Sequence, residues 1–434
     1  MIVAILLIVV CYAQEVELDS KRLHTLFVHS PLYKEMDIAL LLEKNRLLHA
    51  TSVLDVHMKV EANNKEYPLS DAKYLSALLQ KRLLLGANIA AGYRYAKGVQ
   101  EYNNIKTGAR GEYIAGVELS LLEIVNNLSK TFVAIKNTKL DIATKKQQLR
   151  AKRLDLWQRV QEAYYTARFA KSRVAYLQKM LKNMQKLQKM VQRRVQEGSL
   201  AKIALDEVRV QVAARKRLLL QAQNDLQQSR NLLAFLLVTK EYRLPPLSNF
   251  SKELLTKREA LKLALTNSPK LHELTFQNKR AALQKEALFL SRASLKVGLY
   301  GVQDLLYQDG YKATLKLDLP LGQRQWRAKK EQISLQKMQI AYQKKIEQNS
   351  IKRILDDIYS AFAQERALYK VLQEQVSMRE NLYLAEKRKF LEGVGTVFML
   401  LQREQALLQD KLSLLQSLYK LWMLYAQYER VMAR

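Results

Sequence analysis

The chain has 434 residues, 48% hydrophobic and 26% charged, with a formal net charge of +31 and a single cysteine. Those proportions belong to a folded protein and exclude a disordered one, and one cysteine excludes a disulfide framework. The charge invites a nucleic-acid partner, but the 72 Lys and Arg are scattered among Glu and Gln along the chain, with no compact basic patch or recognition motif; solvated outer faces of long helices account for them.

In chain order, Ile2 to Val10 is an apolar run followed by Cys11-Tyr12-Ala13 and polar Gln14-Glu15. It fits the core and cleavage end of a secretory signal over 1–13 and is too short to cross a bilayer as a helix. The missing basic segment before it leaves the true start of such a signal open. Val10 fits a lipid-attachment motif poorly, so Cys11 is expected to leave with the signal. N-terminal helices are expected over 14–50. Ser30-Pro31 reads as an N-cap with Pro in the first helical turn, and a helix follows to about His49.

The period then changes from 3.6 to 2, and 51–121 reads as a β segment. Leu54, Val56, Met58 and Val60 alternate with polar residues. So do Ile89, Ala91, Tyr93 and Tyr95, and Tyr113, Ala115, Val117, Leu119 and Leu121. Ala72 to Leu85 fits helix and strand equally well. The second half has a smaller version over 269–322. There Ser268-Pro269 starts a helix to about Ser291. Leu295, Val297 and Leu299 then alternate, Tyr300 to Gly310 turns, and Tyr311, Ala313, Leu315, Leu317, Leu319 and Leu321 alternate. From Ser-Pro to the last strand is 89 residues in the first half and 51 in the second, leaving roughly 40 for an extra hairpin or loop.

After each β segment comes a long helical hairpin, over 122–240 with a tip near Gly198 and over 323–434 with a tip near Gly393. The arms Glu118 to Glu197 and Gln323 to Glu392 contain no Gly or Pro, the strongest helix breakers. At about 1.5 Å per residue the second arm reaches roughly 105 Å. Leu408, Leu412, Leu415, Tyr419, Trp422 and Ala426 keep the 3.5-residue period of a coiled-coil seam, and Leu156, Val160, Ala163, Ala167, Ala170, Val174, Leu177, Leu181 and Met184 form the matching seam of the first copy. A shift of 195 residues places Tyr164 on Tyr359, Glu197-Gly198 on Glu392-Gly393 and Leu220-Gln221 on Leu415-Gln416. Tips in register on arms of similar length mark a duplication. Pro245-Pro246 breaks the chain in an inter-repeat linker over 241–268.

Strands with one apolar and one polar face suit a water-filled membrane barrel and a half-buried soluble sheet alike. Small hairpins on such long helices have no globular core to cover, and four strands cannot close a barrel in lipid. Several copies must therefore pool their strands. In this order of helix, β-hairpin and long helical hairpin, repeated, the chain resembles the TolC family of outer-membrane efflux proteins. The resemblance spans nearly the whole chain after the signal. It rests also on the tips Gln196-Glu197-Gly198-Ser199-Leu200 and Glu392-Gly393-Val394-Gly395-Thr396, and on Gly92-Tyr93-Arg94, Tyr102, Thr107-Gly108, Gly111-Glu112 and Gly116-Val117.

The resemblance implies a mainly α fold with a β-barrel part: a homotrimer with a twelve-stranded barrel in the outer membrane and a helical conduit crossing the periplasm. It implies tips that dock a periplasmic adaptor bound to an inner-membrane pump. Gly198, Ser199, Leu200, Gly393, Val394, Gly395 and Thr396 would form that docking site. Tyr93, Tyr95, Tyr113, Val117, Leu119, Leu295, Val297, Leu315, Leu317 and Leu319 would face lipid. In well-known members of the family, aspartates lie six and nine residues beyond the second tip glycine. The same count reaches Met399 and Gln402 here, so an uncharged periplasmic aperture is expected, unless Asp206 and Glu207 beyond the first tip supply the acids.

No catalytic, metal or cofactor site is expected. His24, His29, His49, His57 and His272 have no ligand spacing. Gly393-Val394-Gly395 lacks the Gly-Lys-Ser/Thr of a phosphate loop. The adjacent acids Asp356-Asp357 and Asp206-Glu207 point about 100° apart on a helix, which disfavours an acid/base dyad. Two rival functions are a periplasmic coiled-coil adaptor, which should have one hairpin between lipoyl-like β halves, and a basic coiled-coil protein binding nucleic acid.

Overall fold

The computed structural model describes residues 17–67, 70–98, 107–239, 242–306 and 308–433. The expected signal with Cys11, and Tyr102 and Glu241, lie outside the described residues. The elements in chain order are α1 (Ser20–His29), α2 (Pro31–Thr51), β1 (Val56–Tyr67), β2 (Ser70–Arg82), β3 (Ala87–Gly98), β4 (Glu112–Ser120), α3 (Leu121–Val125), α4 (Lys130–Gln196), α5 (Lys202–Leu237), α6 (Lys257–Asn267), α7 (Pro269–Glu286), β5 (Ser294–Asp304), β6 (Gly310–Asp318), α8 (Arg324–Leu391) and α9 (Val397–Val431). One unit comprises Met1–Asp37, Arg150–Ser268 and Gln348–Arg434; the other comprises Ile38–Leu149 and Pro269–Glu347.

The second of these units carries one six-stranded antiparallel sheet in the order β1-β2-β3-β4-β5-β6. The stretch left open by its sequence pattern, Ala72 to Leu85, is strand through Arg82: it pairs with β1 on one side and β3 on the other. The extra residues of the first half thus form a complete hairpin, β1–β2, the first of the two alternatives left open by the sequence, and the described residues hold six strands, against the four per chain of a twelve-stranded trimer. Three boundaries differ from expectation. The turn expected over Tyr300 to Gly310 is shorter, because β5 continues to Asp304. Leu319 falls just beyond β6, since Pro320 cannot donate to a ladder. The long arm expected from Glu118 begins at Lys130, after β4, the short α3 and a break with Asn127 at φ 48.

The same unit packs α7 against the start of α4. Leu271, Leu274, Ala281 and Leu283 are buried. Glu273, itself buried, accepts from Gln148 Nε2 at 2.9 Å, and Arg280 pairs with Asp141 at 2.8 Å.

In the first unit the two hairpins pack along their seams. Val160, Ala163, Ala167, Leu233, Leu418, Trp422 and Ala426 form one buried cluster with Leu23 and Phe27 of α1. Val174, Leu177, Met180, Ala222 and Leu408 form the next. Each fully buried Leu or Val is worth about 1.5–3 kcal/mol relative to exposure, so the seam residues dominate the packing. The expected linker over 241–268 is only partly a linker: it contains α6, opened by a capping box of Thr256 and Glu259.

α6 and α7 repeat α1 and α2. Tyr164 donates its hydroxyl to Leu18 O, and Tyr359 donates to Leu255 O. Leu18 and Leu255 each stand just before the N-cap of the short helix that follows, Asp19 before α1 and Thr256 before α6. Two residues identical under the 195-residue shift thereby fasten equivalent chain segments.

Candidate functional site

Both helical reversals end in a glycine with positive φ, Gly198 at +73 and Gly393 at +85. At the first tip Ser199 N–H donates to Arg194 O at 2.8 Å; at the second Val394 N–H donates to Lys389 O at 3.0 Å. These bonds satisfy the last carbonyls of α4 and α8, a closure that requires a left-handed residue and so favours glycine. The second tip adds a cap: Thr396 Oγ1 accepts from Met399 N–H at 3.2 Å and starts α9. Ser199, Val394 and Thr396 are exposed, and Leu200 and Gly395 are half-buried. A Cβ on Gly198 or Gly393 would meet nothing within 4 Å, so the glycines are required by backbone angle and not by crowding.

The two tips are tied to each other. Arg194 donates to Phe390 O at 2.8 Å and to Leu391 O at 2.9 Å, and its guanidinium lies 4.8 Å from the Phe390 ring centroid. A cation on the open carbonyls at the end of α8 also opposes the negative end of that helix. Beneath it Phe390, Val397, Leu400 and Leu401 pack with Met184, Val191, Leu205 and Val208.

Above the tips, Asp206, Glu207 and Gln402 share one open groove of about 530 Å³, lined also by Ile203, Val210, Phe398 and Gln405. Met399 is half-buried and outside that groove. The geometry thus joins Gln402 to the acids of the first repeat and leaves Met399 aside. Asp206 is paired with Arg209 at 3.1 Å.

Sequence reasoning missed a buried ion pair beside the groove. Arg215 of α5 donates to Glu404 Oε2 at 2.6 Å and to Gln405 Oε1 at 2.7 Å. The side chains of Arg215 and Glu404 are 2% and 4% exposed. Burial pushes the Glu404 carboxyl above its ordinary value, while Arg215 pulls it down. The signal was present: Glu404 stands four residues before Leu408, in the apolar seam register of α9, where a lone acid demands a partner.

In the other unit, the strand register sorts the sheet into two faces. Val117 pairs with Ile89 and Leu299; Tyr113 with Tyr93; Leu119 and Leu315 with Val297; Leu295 with Leu317; and Tyr95 with Leu75. Every strand-borne candidate for the lipid face therefore lies on one side. Leu79, Met58 and Val60 of the extra hairpin continue it. Met58, Val60, Leu299, Leu315 and Leu317 are all more than 60% exposed. The opposite face carries Lys59, Glu61, Arg94, Glu112, Glu118, Lys296, Lys312 and Lys316, with ion pairs from Arg94 to Glu112 and from Lys296 to Glu118.

Glycines show which way the sheet bends. On the polar face, a Cβ at Gly92 would lie 2.1 Å from Ala77 O, and one at Gly116 would lie 2.3 Å from Leu299 O. On the apolar face, a Cβ at Gly301 would meet only Ala115 O, at 3.8 Å. At these glycines the neighbouring backbone stands closer on the polar face than on the apolar one, as expected of a sheet that curls toward its polar face. Glycines at such positions are the usual means of curling a sheet. No helix among the described residues is long and apolar enough to cross a membrane.

No curated protein matches this sequence. Residues 80–238, from the end of β2 to the end of α5, match the family of outer membrane efflux proteins. Solved structures share the fold. The outer membrane protein VceC from Vibrio cholerae aligns with a TM-score of 0.71 at 13% identity, covering 95% of this chain and 96% of that one. The open state of the MtrE outer membrane channel of Neisseria gonorrhoeae gives 0.71 at 14% identity, covering 95% and 88%. The CmeC outer membrane channel of Campylobacter jejuni gives 0.68 at 11% identity, covering 95% and 85%.

Proposed function

We infer from the match of residues 80–238 to the outer membrane efflux protein family, together with the channel fold, that this chain is a passive outer-membrane conduit and not an enzyme. The observation that supports it most is an exposed apolar band that crosses all six strands on one face, flanked by Lys73 and Lys81 of β2 and Lys97 of β3, with charged residues on the opposite face. Lipid outside and water inside is the environment such a sheet suits. The six strands cannot close alone without leaving edges open in lipid. Three copies pool them, and the helical hairpins of those copies line the continuation of the channel through the periplasm.

In this reading the tips dock a periplasmic adaptor that joins the channel to an inner-membrane pump. Gly198, Ser199, Leu200, Gly393, Val394, Gly395 and Thr396 present the surface, and Arg194 keeps the two tips level. Asp206, Glu207 and Gln402 face the aperture. The periplasmic-adaptor alternative loses ground because the chain has two long helical hairpins in tandem and one continuous sheet.

The test is fractionation followed by conductance. The protein should leave the membrane fraction only with detergent, run as three copies in native mass spectrometry and open steady channels in a planar bilayer. Release by salt or carbonate, or a stable monomer in detergent with its full β signal, would sink the proposal. Cross-linking from Leu200 and Val394 should capture the adaptor.

A further inference from the structure

We propose that the β1–β2 hairpin is part of the membrane barrel wall, and that β1 pairs with β6 of a second copy of this chain, so that each copy contributes six strands. The inference rests on the membrane-channel reading and extends it. The deciding observation is the edge of β3. A barrel built only from β3 to β6 of each copy needs β3 free to pair with a neighbour's β6. Here β3 is already bonded on both sides, to β4 and to β2, and the β2 ladder runs nearly its whole length, from Ala72↔Gly98 to Arg82↔Asn88. A four-strand contribution would require that ladder to be stripped.

Three further features place the hairpin in the wall. The first is height. Leu79 and Leu75 pair with Ala91 and Tyr95, and Met58 and Ala62 pair with Leu79 and Leu75, so the apolar residues of β1 and β2 lie level with those of β3. The second is length: β1 has 12 residues and β2 has 13, enough for tilted strands that need about 9–11 residues to span a bilayer. The third is curvature. The close approach at Gly92 is made by Ala77 O and Leu78 Cα of β2, just as Gly116 is approached by Leu299 and Tyr300 of β5. β2 therefore curls onto β3 in the same sense as β5 onto β4.

The free edges are then β1 and β6 alone, and an open edge is not tolerated in lipid. Strand order fixes how they meet. Each strand in the sheet is antiparallel to the next, so β1 and β6 run in opposite directions and can continue the antiparallel pattern from copy to copy. With six strands per chain, three copies make an even, closed ring half again as large as the twelve-stranded one. Barrel diameter grows roughly linearly with strand number, and the ring is about half again as wide.

The test uses paired cysteines in the full-length trimer with Cys11→Ser as background. Met58→Cys or Val60→Cys, combined with Ala313→Cys, Leu315→Cys or Leu317→Cys, should give disulfide-linked dimers and trimers on oxidation. Tyr93→Cys or Tyr95→Cys with the same β6 positions should not. The reverse result, β3 linking to β6 of a neighbour, overturns the proposal in favour of four strands. Absence of both, in protein where the Met58→Cys/Leu79→Cys pair forms within one chain, also overturns it. Nitroxides at Met58 and Leu79 should be as accessible to lipid-dissolved oxygen as one at Val117; aqueous exposure at the first two alone places the hairpin outside the wall. Protein that needs no detergent and forms no channel defeats the channel reading itself, a failure separate from any pattern of cross-links.

Discussion

The two helical hairpins descend from one sequence pattern yet are buried differently. α4 is the more buried arm: Val160, Ala163, Tyr164, Ala167, Ala170, Val174, Leu177, Met180, Met184 and Val191 are all buried. α8, its counterpart 195 residues on, leaves Leu368, Val371, Met378, Leu382 and Leu384 between 43% and 64% exposed. The sequence follows the difference. Where α8 has Leu368 and Met378 on one face, α4 has Arg173 and Asn183 at the shifted positions, while Val371 and Leu382 of that face match Tyr176 and Leu187. Both arms keep the seam that each needs internally, and α8 alone completes a second apolar face, which Arg173 and Asn183 interrupt in α4. An exposed face of that kind marks an interaction surface, and in the proposed trimer it meets a neighbouring copy.

The returning arms diverged too, and the largest expected effect lies there. Position 215 is Arg in the first repeat and its counterpart is Asp410; Glu404 has Arg209 as its counterpart. Only Arg215 and Glu404 became a buried pair; Asp410 pairs instead with Arg379 at 3.1 Å. Removing one member of a buried pair costs about 3–5 kcal/mol. Arg215→Ala should lower the melting temperature of the solubilised protein accordingly, and Arg215→Met/Glu404→Leu should recover most of the loss. Asp410→Ala, at a more exposed pair, should cost much less. Equal losses at the two sites would erase the distinction between the repeats.

Next in size is the outer face of α8. Leu368→Glu or Met378→Glu should weaken subunit association about tenfold or more, which corresponds to about 1.4 kcal/mol, read as monomer in native mass spectrometry. Arg173→Glu at the matching place on α4 should leave association intact while losing its pair with Asp225. If α8 tolerates both charges as a trimer, its apolar face is not the subunit contact.

The tips follow. A side chain held in the left-handed region costs about 1–2 kcal/mol, and Gly198 and Gly393 both occupy it. Gly393→Val and Gly198→Val should each impair adaptor cross-linking while the protein still reaches the outer membrane. Arg194→Ala should uncouple the tips and mimic the Gly393 variant. Docking that survives the double glycine replacement removes the tips from the interface.

A pH dependence distinguishes the buried pair further. The Glu404 carboxyl is raised above its ordinary value of 4.5, chiefly by burial. A raised carboxyl holds its proton more tightly in the folded state, so its contribution to stability is complete below the ordinary value and is lost as pH rises through the raised one. Glu404→Gln should therefore flatten that part of the melting profile. Parallel profiles for the two proteins would show that Glu404 does not titrate in that window.

The smallest effect belongs to the aperture. Gln402 shares its groove with Asp206 and Glu207, and Asp206 is already matched by Arg209. Block by trivalent cations from the periplasmic side should be weak, and should weaken further in Asp206→Asn/Glu207→Gln. Gln402→Asp should strengthen block more than Met399→Asp, because Met399 lies outside the groove. The opposite ranking would return the aperture to Met399.

The duplicated order, the long arms, the seams and the glycine reversals were all legible in the residues alone. These features are local: a heptad period, an absence of breakers and a residue able to adopt positive φ each act within a few turns of chain. Alternation likewise sorts Tyr93, Tyr113, Val117, Leu295, Val297 and Leu315 into one class, since side chains alternate across any strand.

Other features depend on which neighbour arrives. The stretch Ala72 to Leu85 has no clear period, and it became a strand because β1 and β3 offered ladders on both sides. α6 was hidden in the expected linker, and its identity as the counterpart of α1 rests on Tyr359 reaching Leu255 as Tyr164 reaches Leu18. The ion pair of Arg215 and Glu404 joins residues 189 apart in the chain, and no local pattern names such a partner. Periodicity states that a face must be covered; the packed chain alone states what covers it, because burial is set by contacts between segments distant in sequence.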